Sequence, residues 1–448
     1  MKYKSWISSG IFGALQKLSV PISSVLITMV LAHKALTKQE MGVWAIFMTI
    51  TAVVELIRQG LVKTSLIKFL NHSEPADQKY VLTAAFLLNA FITIITALVI
   101  ALFAGAIANA LEAPQLREML YYLQAGMLIM IPFSHFEWLM YGKGQFRGLF
   151  WVYFFRQGFT LVAVLLLYLL ANEVSLNMLV VIYNAALLIG TIVAYRYIKQ
   201  FFEGSLFISM DWIWRLLHFG KYVFASGLST LVFRSADQIM LSPLMGSTAF
   251  TASQNVSMRV INLSDIPSQV LGDILFPKSA KKETSESKDR IKYYYEKAVG
   301  ASLCIILPII LFIVLFPKVI ILILAGPQYM DAIPYLRLIA GCAIFLAFLK
   351  QFGVIMDSTG HPGVNLVSIS IMAVVHVGLC YLFIRAYGLM GAGYALLLSH
   401  TIGFILTQYL LFRYFRVNFT ACFVYAFKFY PEFIRMGIQR RKSKLKMQ

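Results

Sequence analysis

A chain of 448 residues that is 59% apolar and only 13% charged, with a mean hydropathy of +0.75, carries more apolar surface than a soluble interior of that size can bury. Its natural solvent is the bilayer, so the length divides by the roughly 20 residues of a membrane crossing rather than by the size of a soluble domain. The net charge of +19 raises nucleic acid as a partner, a reading that depends on where the charge lies.

In chain order, apolar windows predict helices over 10–31, 41–60, 80–107, 120–140, 149–170 and 178–198. A polar connector at 199–217 follows, and then helices over 219–245, 250–275, 298–324, 336–356, 364–384 and 391–412. The fold class is therefore an all-α polytopic membrane protein of about twelve transmembrane helices. The opening Met-Lys-Tyr-Lys has the charge order of a signal sequence, but no A-x-A-like site follows, so the first apolar run is read as a membrane helix. Cys304, Cys342, Cys380 and Cys422 all sit in apolar stretches without metal-ligand spacing and read as small core hydrophobes.

Lys and Arg set the orientation. Lys278, Lys281, Lys282, Lys288, Arg290, Lys292 and Lys297 crowd one link, and Arg440, Arg441, Lys442, Lys444 and Lys446 crowd the end of the tail. The links 171–177 and 241–250 on the other side carry none. This bias places both termini in the cytoplasm and makes the positive charge topological, with membrane lipids rather than nucleic acid as its partner.

A weak repeat runs through the chain at an offset of about 210 residues. Leu18-Ser19 answers Leu228-Ser229, Glu55 answers Asp265, and Lys68 answers Lys278. With a small slip, Glu112-Ala-Pro-Gln115 answers Gly326-Pro-Gln328. The expected organisation is a six-helix lobe at 1–205, a second at 206–413, and a basic tail at 414–448 whose segment 417–437 either lies on the membrane as an amphipathic helix or dips into it. Six crossings per copy keep both copies in one orientation, so the cavity between two such bundles would open alternately to either side.

A charge near the bilayer centre costs at least about 2.5–3.5 kcal/mol, so each one needs a reason. Lys17, two turns into the first helix and followed by Pro21, either snorkels to the interface or faces a cavity. Arg234 and Asp237 share a face of the seventh helix, either as a structural pair or as an arginine open to phosphate with Asp237 its resting counter-ion. The eighth helix, with Gln254, Asn255, Arg259, Asn262, Asp265 and Gln269, is too polar for lipid and must line a cavity or an interior network. Glu55 and Arg58 are its sparser counterpart in the second helix, and Lys350 lies deep in the tenth. Glu137 beside Trp138 reads as an interfacial residue, with proton coupling as the alternative, and Arg156 reads as reaching the cytoplasmic interface. Lys17, Arg234, Arg259 and Lys350 together suit an anionic, phosphate-bearing cargo, because a guanidinium fork holds two oxygens and stays charged when desolvated.

No phosphate loop, H-E-x-x-H, Cys/His cluster or G-x-S-x-G occurs, which speaks against ATP hydrolysis, a metal site and an enzyme. Four motifs then carry a resemblance: Leu36-Thr-Lys-Gln-Glu-Met-Gly42, Arg234-Ser-Ala-Asp-Gln-Ile-Met-Leu241, Ala325-Gly-Pro-Gln-Tyr329 and Gly388-Leu-Met-Gly-Ala-Gly-Tyr-Ala395. In their order along the chain it resembles Wzx-type lipid-linked oligosaccharide flippases of the multidrug/oligosaccharidyl-lipid/polysaccharide exporter superfamily. That resemblance implies two six-helix lobes in a V and a bacterial inner-membrane transporter without enzymatic activity. It also implies an undecaprenyl-pyrophosphate-linked oligosaccharide as cargo, carried to the periplasmic leaflet for surface polysaccharide assembly such as O-antigen. No cofactor is implied; an ion gradient or membrane potential supplies the drive, and a polysaccharide polymerase and assembly proteins are the implied partners. A cation-coupled multidrug exporter of the same fold is the alternative.

Overall fold

The computed structural model describes residues 19–171, 174–201, 208–279 and 287–429. Lys17 and the distal tail lie outside the described residues. The chain forms two compact units, Met1–Val256 with Leu322–Tyr329, and Ser257–Ile321 with Met330–Gln448.

In the first unit, α1 (Ser19–His33) ends in a π-helical turn at Leu31–Ala35. Thr37 then caps α2 (Lys38–Arg58): its hydroxyl accepts from the Glu40 amide at 3.3 Å, and its own amide donates to the Glu40 carboxylate at 2.9 Å. That reciprocal box satisfies donors the first turn would leave open. The helix does not stop near residue 60 as expected. A π-helical turn at Gln59–Lys63 carries it into α3 (Thr64–His72), where Leu66 and Leu70 are buried and Lys68 faces out. An amphipathic stretch keeps its helix beyond the apolar window, because one face still has a core to join.

Helices α4 (Pro75–Ala110), α5 (Leu116–Gly142), α6 (Phe146–Ala171) and α7 (Leu176–Ile198) pack side by side. Asn89 donates to the Ile131 carbonyl at 2.9 Å and Lys143 to Gln78 at 2.9 Å, which makes α4 and α5 antiparallel. Asn184 donates to the Tyr122 carbonyl at 2.8 Å, tying α7 to α5 through a buried amide rather than a charge. The core of this bundle is formed by residues such as Leu88, Phe133, Trp138, Leu149 and Leu187.

Helix α8 (Met210–Met245) ends at Gly246, whose φ of 64° supplies a left-handed cap. It belongs to the first unit, so the boundary between compact units falls at 256/257, beyond the 205/206 junction expected from the repeat. The physical reason is a glycine crossing. A Cβ at Gly220 would lie 2.0 Å from the Leu61 carbonyl oxygen, and one at Gly227 would lie 2.7 Å from Leu56 Cδ1. Small residues let α8 lie directly on α2 and the π-turn.

Helices α9 (Thr248–Ser264) and α10 (Ile266–Ser279) divide the expected eighth helix at Asp265. Pro267 lacks the N–H for a helical bond and clashes one turn back, which accounts for the break. In the second unit, α11 (Lys288–Leu315) starts ten residues before its apolar window, capped by the Ser287 hydroxyl. Helix α12 (Pro317–Ala325) follows, and then α13 (Ala332–Ala340) and α14 (Cys342–Ser358), bent by 44° at their junction.

The 54-residue segment α15 (Pro362–Phe415) holds two helices that meet at Gly388, where φ is 59° and ψ −134°. At 1.5 Å per residue a straight helix of that length would run about 81 Å, far beyond one bilayer. Instead His376 Nδ1 lies 2.9 Å from Ser399 Oγ, and a Cβ at Gly403 would meet Met372 Cε at 2.2 Å. Residues 362–387 and 389–415 therefore pair as an antiparallel hairpin about Gly388. The tail begins as α16 (Phe419–Phe429), with Asn418 Oδ1 accepting from the Thr420 amide at 3.1 Å. Buried Glu296 of α11 accepts from the Asn418 amide at 2.9 Å, and a Cβ at Gly300 would meet Tyr425 Cβ at 2.6 Å. The near half of segment 417–437 thus packs on α11; the rest lies outside the described residues.

Among the described residues, and with Pro362–Phe415 counted once, seven helices are long and apolar enough to cross a membrane, or eight counting the bent α13–α14 pair as one span. The chain is a multi-pass membrane protein.

Candidate functional site

Each unit holds a cluster of polar side chains inside otherwise apolar packing, and in each the cluster sits where a helix departs from regular winding. In the first unit the π-turn follows Arg58, whose side chain is 1% exposed. Its Nη1 donates to Ser134 Oγ at 2.7 Å and to the Met130 carbonyl at 3.3 Å, while Nε has no partner. Glu55, one turn earlier, accepts from Gln59 Nε2 at 2.7 Å. Further along, Lys63 Nζ lies 3.5 Å from Glu137 Oε1, which also accepts from the Tyr153 hydroxyl at 2.8 Å. Arg156 spans the rings of Phe133 and Tyr183, at 5.1 and 5.5 Å from their centroids.

Glu137 is 1% exposed and Trp138 fully buried, so Glu137 sits inside the helix packing. The reason is that Lys63 and Tyr153 supply the charge and donor that make its burial tolerable. Arg156 is held between aromatic faces of α5 and α7, where a guanidinium stacks well on rings. Among the described residues the cluster sums to three cations and two carboxylates, an excess of one positive charge.

Asp237 is 1% exposed and bound by Gln254 Nε2 at 2.9 Å. Its carboxylate thus takes a neutral partner from α9 instead of Arg234, which points outward from α8 and is exposed. Gln238 donates to the Ala45 carbonyl at 2.8 Å, fastening α8 to α2 beside it.

In the second unit the cluster surrounds the break at Asp265. Asp265 is 7% exposed; its Oδ2 lies 3.5 Å from Lys350 Nζ and accepts from Gln269 Nε2 at 3.1 Å. Gln351, fully buried, donates to the Ser268 carbonyl at 2.9 Å. Asp265 Oδ1 and Gln351 Oε1 have no hydrogen-bond partner. Arg259 and Asn255 are half-buried on α9, and Asn262 is exposed. Of the residues singled out in the sequence, the structure groups Glu55 with Arg58, Asp237 with Gln254, and Asp265 with Gln269 and Lys350. It gives Arg234 and Asn262 exposed positions, and Lys17 lies outside the described residues.

Lys63, Ser134, Tyr153, Tyr183 and Gln351 complete these clusters and were not singled out. One signal was available: Gln59 and Gln269 also stand 210 residues apart, each four residues after its acid. The acid–glutamine pair recurs in both units with the same bond.

Comparison with known proteins follows the same lines. A family described as polysaccharide biosynthesis protein matches residues 30–334. An uncharacterized membrane protein of Methanocaldococcus jannaschii is 29% identical over 203 residues, 45% of this chain and 40% of that protein. A probable low-salt glycan biosynthesis flippase of Haloferax volcanii is 20% identical over 204 residues, 46% of this chain and 43% of that protein. Both alignments thus span less than half of the curated relatives' length. Among solved structures, the lipid II flippase MurJ in an inward closed conformation superposes with a TM-score of 0.76 at 11% identity, covering 93% of this chain and 90% of that one. An inward-facing multidrug resistance MATE transporter of the MOP superfamily superposes at 0.70 with 14% identity, covering 89% and 98%. At such identities the likeness is one of fold.

Proposed function

This chain belongs to the polysaccharide biosynthesis protein family, and from that premise we propose that it flips a lipid-linked oligosaccharide across the membrane by alternating access. The finer reading is a polyprenyl-pyrophosphate carrier, undecaprenyl in a bacterial inner membrane, delivered to the outer leaflet for surface polysaccharide assembly. The observation that carries it is the placing of cations inside apolar bundles. Arg58, Lys63 and Arg156 outnumber the acids of their cluster, and Arg259 is half-buried on a helix whose polarity rules out lipid contact. A pyrophosphate needs such charge, and a cationic drug does not. In this reading Arg259, Arg234, Lys350 and Lys17 meet the phosphates during transport. Asp265, with one carboxylate oxygen unpartnered beside Lys350, is the group that takes up a coupling proton or cation.

The test is deletion of the gene in its native host, with lipid-linked glycan measured by mass spectrometry and surface glycan measured in parallel. Accumulation of the lipid-linked precursor with loss of surface polymer is expected, and restoring Arg259→Gln should leave export at least ten-fold below wild type. Unchanged pools with new sensitivity to cationic dyes would transfer the protein to the drug-exporting branch of the fold.

A further inference from the structure

Two of the motifs read in the sequence meet outside the buried clusters. The turn from α1 into α2 carries Leu36-Thr-Lys-Gln-Glu-Met-Gly42, and the turn after α12 is Ala325-Gly-Pro-Gln-Tyr329. By its contacts Leu322–Tyr329 belongs to the first unit, although the chain on either side of it belongs to the second. This strap is fastened at the π-turn Leu31–Ala35 and the start of α2. Gln328 Nε2 donates to the Ala32 carbonyl, and Lys38 Nζ lies 5.5 Å from the centroid of the buried Tyr329 ring. Gly326, with φ 87°, turns the strap against His33, where a Cβ would lie 3.5 Å from the imidazole. His33 is the centre of the contact. Its Nδ1 lies 2.9 Å from the Met29 carbonyl oxygen and its Nε2 3.0 Å from the Leu322 carbonyl oxygen. Both oxygens only accept. A neutral imidazole has one N–H and meets one of them, whereas an imidazolium has two and meets both.

We propose that His33 is a proton-operated clasp: as imidazolium it pins segment 322–329 to the end of α1, and as neutral imidazole it lets that segment lift. Met29 lies near the end of α1 and Leu322 in the last turn of α12, so the carbonyl ends of two helices converge on the ring and favour a cation there. The other charged and titratable groups of these elements are Lys38 and Glu40 on α2, Tyr329 on the strap and Lys318 at the far end of α12. Lys34 adjoins His33 in the sequence, and its side chain lies outside the described residues. Glu40 is held in the Thr37 box, and among the described residues no carboxylate pairs with the ring. Histidine is the side chain whose charge ordinarily changes between about pH 5 and 8. With the amino terminus read as cytoplasmic, the link after the first helix faces outward, so the clasp answers to external pH. It depends neither on the cargo nor on the buried clusters.

The test uses the full-length protein in lipid nanodiscs and a hydrophilic maleimide. Ala325→Cys puts a thiol at a fully buried position of the strap, and Gln39→Cys puts one at an exposed position of the facing turn. The ratio of their alkylation rates cancels the pH dependence of the thiol itself, and the four native cysteines are buried. With His33 present the ratio should rise about five-fold or more from pH 5.5 to pH 8, the loss of one hydrogen bond. In His33→Gln, whose amide does not titrate, it should stay constant, and in His33→Ala it should be high at both pH values. Leu324→Cys, 6% exposed, repeats the measurement should Ala325→Cys fail to fold, and a thermal midpoint matching wild type at each pH reports the intact fold. A ratio that does not change with pH while His33 is present would overturn the proposal. A pH dependence that survives His33→Gln would overturn it too, and assign the switch to another group.

Discussion

Arg58 shows what a buried cation requires when no carboxylate binds it directly. Its fork is held by a hydroxyl and a carbonyl of α5, so the charge is solvated by neutral dipoles and the residue ties two helices together. Arg58→Leu should lower stability by about 1–3 kcal/mol, the cost of leaving buried partners unmet, read as a fall in thermal midpoint in detergent. Tyr153→Phe removes the hydroxyl donor to Glu137 and should cost about 1 kcal/mol in the same assay. Asp265 and Lys350 differ, because the lysine is 37% exposed and the pair is partly screened. A double-mutant cycle of Asp265→Asn and Lys350→Gln should give a coupling of only about 0.5–1 kcal/mol in stability. Transport should nevertheless fall at least ten-fold in Asp265→Asn; full transport would remove Asp265 from the coupling role. Asp237 was legible as a buried acid in the sequence, but its partner was not. Spacing along one helix offered Arg234, whereas packing between helices supplied Gln254.

At the level of elements, the helices were legible because a bilayer demands long apolar runs, and their ends were not. α3 and the starts of α8 and α11 extend beyond their apolar windows, since amphipathic turns outside the hydrocarbon carry no hydropathy signal. The break at Asp265 was written in Pro267, yet a window average hides a single proline. Pro267→Ala should let α9 and α10 join into one helix, raising the thermal midpoint while slowing transport; unchanged transport would mean that the break serves folding alone. The crossing of α8 over the π-turn rests on the absent side chain of Gly220. Gly220→Ala places a methyl group 2.0 Å from a backbone oxygen that cannot move aside, and should destabilise by about 3 kcal/mol or more, seen as poor yield of folded protein.

For the molecule as a whole, the duplication read from scattered pairs gains chemical content from Glu55–Gln59 and Asp265–Gln269, where the same side-chain bond recurs in both units. The compact units divide at 256/257, later than the 205/206 junction read from the repeat, because contacts follow helix crossings. A membrane protein also has a parity: every crossing exchanges the side on which the chain emerges. The hairpin about Gly388 counts as two crossings where an unbroken helix would count as one. Its backbone angles, φ 59° and ψ −134°, are open to a residue without Cβ and forbidden to nearly all others. One missing methyl group therefore decides whether the chain between Pro362 and Phe415 makes one crossing or two.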